Sequence, residues 1–164
     1  MSPETPAGTV AGLAALALVL LAACAAAGPN PGGGSAQDFE TLLADAHSGL
    51  AEPRREVVRD EASWARLWAE IHAGEDPEPP LPAVDFTDQM LIVVASGTRR
   101  SGGFSIRVTS LERRGDRLDV EVLETCPAAG ARVSMALVQP VEVIRLSRSQ
   151  EPTRFLDRRD ASCR

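Results

Sequence analysis

Residues 90–125, MLIVVASGTRRSGGFSIRVTSLERRGDRLDVEVLET, decide the fold. Met90 to Ala95 is a continuous apolar run containing Ile92, Val93 and Val94, as in a strand buried on both faces. A polar, glycine-rich segment, 96–103, follows. From Phe104 the chain alternates: Phe104, Ile106 and Val108 point one way, Ser105, Arg107 and Thr109 the other. Arg113-Arg114-Gly115-Asp116 turns the chain. Leu118, Val120 and Val122 then resume the period of two against Asp119 and Glu121. The expected product is a three-strand antiparallel meander with one dry and one wet face.

Upstream, 60–73 (DEASWARLWAEIHA) carries the clearest helix signal. Asp60 is a good N-cap, and Glu61 suits the positive end of the dipole. Trp64, Leu67, Trp68 and Ile71 form one apolar stripe, and Gly74 and the prolines at 77, 79 and 80 end the helix. Both tryptophans of the chain lie on this stripe, so we expect them in the core, packed on the dry face of the meander, rather than on a sugar-stacking surface. His72 lies off the stripe and is expected in solvent, as is the acidic proline-rich loop 75–82. Phe39, Leu42, Leu43 and Ala46 have helical spacing over a segment so short that an irregular strand fits equally. A short strand is expected at 56–59, others at 131–138 and 141–146, and a last one at 154–156. Pro140 marks a bulge, an edge or a strand boundary. These elements define an α+β class: an antiparallel, partly curled sheet with one amphipathic helix packed on it.

The ends of the chain give an address. Residues 10–23 are almost wholly Ala, Leu and Val, the length of a signal-peptide core and too short for a comfortable membrane span. The segment before it has no Lys or Arg. The run ends in Leu21-Ala22-Ala23-Cys24, which resembles the lipobox of bacterial lipoproteins, where the Cys is acylated and becomes the new N-terminus. More than one acyl chain anchors firmly, where a single chain binds reversibly. We therefore expect a signal peptide at 1–23, a lipid-anchored Gly/Pro-rich tether at 24–36, and one domain at 37–164 on the extracytoplasmic side of a bacterial envelope.

Composition excludes more than it assigns. The chain has 164 residues and a formal net charge of −6, and its 17 basic residues are all Arg. An acidic chain is a poor match for nucleic acid, which needs a basic surface. With Cys24 acylated, Cys126 and Cys163 remain as a pair in an oxidising compartment, and a disulfide is expected. The other reading, a nucleophilic thiol at Cys126, lacks a base in a recognisable motif, since neither His47 nor His72 sits in one. Metalloprotease, redox, hydrolase-elbow and phosphate-loop motifs are all missing from the sequence. No catalytic residue, metal or cofactor is assigned. The glycine-rich loop, Arg99, Arg100, Ser101, Gly102 and Gly103, is the candidate partner-binding element, with the two arginines placed to grip an anionic group.

Taken together, the run ending in Val93-Val94, then Gly97-Thr98-Arg99 with Ser101-Gly102-Gly103-Phe104-Ser105-Ile106, the Gly115-Asp116 turn, Leu118-Asp119-Val120-Glu121-Val122 and Gln139-Pro140-Val141-Glu142-Val143-Ile144 resemble the C-terminal domain of the PrcB protease-complex-subunit family. Val57-Val58-Arg59-Asp60 leading into Trp64, Leu67 and Trp68 extends the resemblance, which spans roughly 56–146. Phe104 stands where the pattern has Tyr, and Val141 replaces an aromatic; both stay apolar. The resemblance implies a non-catalytic lipoprotein that binds or assembles proteins, as an accessory subunit of a surface protease complex. The competing expectations are an extracytoplasmic protease inhibitor or small-ligand-binding lipoprotein that uses loop 97–103, and a hydrolase with an unrecognised site. Fold resemblance does not carry sites with it, so no partner-binding residue is transferred.

Overall fold

The computed structural model describes residues 34–163. The signal-peptide reading of 1–23 and the lipidation reading of Cys24 lie outside the described residues.

Strand β4 (Gln89–Ser96) is the centre, because both of its faces are apolar. Met90, Ile92 and Val94 face one side and Leu91, Val93 and Ala95 the other, all fully buried. Such a strand needs a cover on each face, and the chain supplies two different ones. β4 lies in a four-stranded sheet of order β2-β7-β4-β3, with β2 (Phe39–Asp45), β3 (Pro53–Val58) and β7 (Val141–Ser147). The second sheet has order β1-β5-β6-β8, with β1 (Ser35–Ala36), β5 (Ser105–Arg114), β6 (Arg117–Thr125) and β8 (Thr153–Arg159).

The two sheets pack face to face. Ile106, Val108, Leu111, Leu118, Val120 and Val122 of β5 and β6 meet Met90, Ile92, Val94, Ile144 and Leu146 of β4 and β7. Helix α1 (Glu61–Ile71) covers the opposite face of the β4 sheet: Trp64, Leu67, Trp68 and Ile71 pack on Leu91, Val93, Ala95, Val141 and Val143. Asp60 caps the helix, accepting from the Ser63 N–H at 2.8 Å, and this bond with that of the Ser63 hydroxyl holds its carboxyl below the ordinary range.

Several expectations are thereby corrected. The single curled sheet is two sheets, and β4 does not pair with β5. The helix does not dock on Ile106, Val108, Leu118, Val120 and Val122, because the β4 sheet already occupies that face and offers its own second face to the helix. The architecture is not wholly antiparallel: β8 runs parallel to β6, with Leu118 opposite Thr153 and Glu124 opposite Arg159. β8 also runs beyond the expected 154–156, through Arg159. Residues 131–138 form no strand; only an isolated Arg99–Val138 bridge is made there. The last two residues assigned to the tether, Ser35 and Ala36, pair with Arg113 and Glu112 as an edge strand.

The ambiguous segment 39–46 is the irregular strand β2. Its register shifts between Thr41 and Leu43, so Phe39 packs toward the inter-sheet core while Leu42 and Leu43 pack toward the helix side. That bulge produces the helix-like spacing. Pro140 marks a strand boundary: β7 starts at Val141, and the Pro140 carbonyl accepts from the Ser96 N–H at 3.0 Å. The tryptophans are core residues, 1% and 4% exposed. Loop 75–82 is more than solvated chain, since its Pro82 and Pro79 carbonyls accept the Trp64 and Trp68 indole N–H groups at 3.0 and 2.9 Å. His72 is not in solvent either. Its ring lies 4.2 Å from the Trp68 ring, and Nδ1 is 2.8 Å from Glu75 Oε1.

Candidate interaction site

Where the chain passes from β4 to β5, and again from β6 to β7, it leaves the sheets in two loops that lie against each other. The first is 97–104 and the second 126–140. Gly102 N–H donates to Ser134 O at 3.0 Å, and Arg99 and Val138 exchange backbone bonds of 2.8 and 3.1 Å. Gly103 has φ +86°, and a Cβ added there would lie 2.9 Å from Pro127 Cβ and 3.1 Å from Val133 Cγ1. Backbone conformation and close packing therefore both demand glycine. Gly102 is also tightly packed: a Cβ would come within 2.6 Å of Ser134 Oγ. Ser101 is half-buried.

The two arginines of this loop divide. Arg99 is half-buried; its guanidinium donates to Glu124 Oε1 and lies 5.7 Å from the centre of the Phe104 ring. Its charge is spent inside the molecule, which corrects the expectation of a second free gripping group. Arg100 is exposed, and among the described residues no ion pair reaches it.

Cys126 opens the second loop. Its sulfur lies 2.00 Å from that of Cys163, with Cα atoms 4.9 Å apart, so the pair sits at disulfide distance. The residues around it brace the same corner. Ser162 Oγ accepts from Cys126 N–H at 3.3 Å, and Asp160 O accepts from Cys163 N–H at 3.0 Å. Backbone and side-chain bonds from Ser162 hold the Asp160 carboxyl below its usual range.

Elsewhere several charged side chains neutralise each other. Asp119, expected on the wet face of its strand, is covered by arginines: Arg154 at 2.6 Å, Arg117 at 3.0 Å and Arg114 at 3.6 Å. The Arg154 hydrogen bond is the main cause of its lowered pKa. A polar cleft of ≈ 220 Å³ opens between β3 and β8, lined by Arg55, Ser96, Arg99, Glu124 and Asp157 among others. Two of its arginines are committed to its own carboxylates, Arg55 at 2.6 Å from Asp157 and Arg99 on Glu124. Among the described residues no three His, Cys, Asp or Glu side chains converge as a metal site would.

The fold is thus a two-sheet α+β sandwich with a helix on its outer face and a pair of braced loops at the crossovers between sheets. Residues 90–147, from β4 to β7, match the family model described as PrcB C-terminal. The matched segment contains both loops. No curated protein and no solved structure matches the chain.

The sequence makes the first loop and the turn at 126–130 legible, but the rest of the second loop, 131–138, reads as a strand. Residues 131–138 alternate as a strand does, and nothing local reveals that no strand lies beside them. The signal that was available is the disulfide expected at Cys126, because a crosslink at the root of a segment suits a loop more than a sheet strand.

Proposed function

We propose that this chain is a non-catalytic lipoprotein of the bacterial cell envelope that binds a protein partner, as an accessory or assembly subunit of a surface protease complex. The observation that carries this reading is the PrcB C-terminal match over 90–147, a family associated with a protease-complex subunit. The Leu21-Ala22-Ala23-Cys24 sequence supports a lipid anchor, and the acidic composition argues against nucleic acid as the partner. The braced loop pair supports protein recognition, since binding residues concentrate on loops held by a rigid scaffold.

The test is recovery of the tagged full chain from solubilised membranes after cross-linking in the native envelope. An endopeptidase should co-purify, and its amount in the envelope should fall when the chain is deleted. Failure to recover any protein partner would refute the assembly role. Inhibition of that endopeptidase by the purified chain would move the reading to an inhibitor. Cys24→Ala should abolish incorporation of labelled fatty acid and release the protein from membranes; a variant that stays membrane-bound, with no label in the wild type, would remove the anchor.

A further inference from the structure

Segment 131–138 has the alternation of a strand and runs antiparallel beside 99–102, yet only Ser134 and Val138 bond to that neighbour, and Ala131 N–H turns back to Ala128 O. Between these points Met135, Ala136 and Leu137 make no backbone hydrogen bond among the described residues. Unpaired backbone next to β-type sequence is a template for another strand.

The side chains make the same offer. Met135 is 86% exposed and Leu137 59%. Two of the three exposed large hydrophobics among the described residues therefore fall within three positions; the third, Leu81, lies in the proline-rich loop. A scattered apolar side chain on a surface is ordinary. A pair on a loop braced by a sulfur bridge and by backbone bonds to its neighbour is not scattered. Nor does the segment lack a core to enter, since its Val138 is 3% exposed.

The local charge contrasts with that of the chain. Segments 97–107 and 126–140 contain Arg99, Arg100, Arg107 and Arg132 and no Asp or Glu, in a protein of net charge −6. Arg99 is taken by Glu124, while Arg100 and Arg132 are exposed and in no ion pair among the described residues.

We propose that Met135 and Leu137 anchor a docking face for a protein partner that has an apolar groove rimmed by Asp and Glu. The groove takes the two side chains, and the rim meets Arg100 and Arg132. This assigns a surface to the partner binding proposed above and rests on that reading. Charge complementarity selects the occupant. A second copy of this chain would bring the same arginines against themselves across a two-fold contact. A lipid surface fits poorly, since two side chains without an aromatic are a weak insert.

The test places photo-activatable benzoyl-phenylalanine at position 135 of the full chain in its native envelope. A discrete protein adduct is expected, with the cross-linked peptide bordered by acidic residues. Combining the probe with Arg100→Glu and Arg132→Glu, or with Leu137→Asp, should cut the yield at least tenfold. These positions are exposed, so melting temperatures should stay within a few degrees of wild type. The same probe at position 81 should give no such adduct. An adduct to lipid or to a second copy, no adduct, or one indifferent to charge reversal would each overturn the proposal. Affinity recovery through a C-terminal tag separates this failure from that of the broader reading. If the variants recover a partner as well as wild type does, protein binding stands and this face falls; if wild type recovers none, both fall.

Discussion

Val108 in β5 donates its backbone N–H to Glu142 Oε2 in β7 at 2.5 Å, a charged hydrogen bond running from one sheet to the other. The Glu142 carboxylate is 4% exposed and also accepts from the Thr41 hydroxyl at 3.3 Å. β5 is bulged between Val108 and Ser110, at the point where this bond leaves the sheet.

Glu142 should make stability depend on pH. Burial pushes its carboxyl above the ordinary value of 4.5, against the opposing pull of the Val108 N–H, the Thr41 hydroxyl and the Arg107 charge. A carboxyl raised on folding contributes stability that is fully present below its unfolded value and lost as pH rises through its folded one. At neutral pH the ionised form is therefore a cost. Glu142→Gln keeps an acceptor for Val108 and removes the charge. We expect its melting temperature to exceed that of wild type by several degrees at pH 7.5, with the gap closing at pH 4. A Gln variant that melts lower at pH 7.5 would mean that the carboxylate's bonds outweigh its burial.

The tryptophans are the next lever. Each buries its ring between helix and sheet and satisfies its N–H on a proline carbonyl of loop 75–82. Trp64→Ala or Trp68→Ala should cost about 3–5 kcal/mol, a large share of a typical domain's stability. Wild-type emission should be blue-shifted and shielded from iodide. Red-shifted, quenchable emission with an unchanged melt would contradict the packing.

Local pattern made most elements legible, and pairing was where the reading stopped. Asp60, the Trp64–Ile71 stripe and the break after it define α1 to within two residues, because capping and periodicity are local. The unbroken run of β4 also announced burial on both faces. What it could not announce was that the two faces have different covers, sheet on one side and helix on the other. That choice depends on long-range pairing such as Val93 opposite both Glu56 and Val143. The parallel partnership of β6 and β8 is hidden for the same reason. At the candidate site, the glycines of 97–103 were visible as a loop, whereas the internal use of Arg99 depends on Glu124, 25 positions away.

The sulfur pair ties the root of loop 126–140 to the chain after β8 across a sequence separation of 37. In the loop-entropy account, a crosslink of that span stabilises by about 3–4 kcal/mol. Cys126→Ser and Cys163→Ser should each lose about that much, and the double variant little more, since the second change removes nothing further. Tryptophan emission at low temperature should be unaffected, because the rings lie in a different layer. Folded, unreduced protein should label at neither thiol; two alkylated thiols measured by mass would remove the bridge.

A pair of glycine substitutions distinguishes the packed loop from a merely turned chain. Gly103 and Gly115 both have positive φ, +86° and +64°. Alanine at either position pays for the left-handed conformation, about 1–2 kcal/mol. At Gly115, in the β5–β6 turn, an added Cβ meets nothing within 4 Å, so the conformational cost is the whole cost. At Gly103 the same methyl is pressed toward Pro127 and Val133, whose positions are fixed by the neighbouring loop. The proline ring has no rotamer by which to withdraw, so the second loop must shift. Gly103→Ala should therefore destabilise more than Gly115→Ala in denaturant titrations. It should also increase amide hydrogen exchange at Gly102 and Val138, whose N–H groups join the loops. Equal destabilisation, with exchange at those two amides unchanged, would show that the loops do not rest on each other.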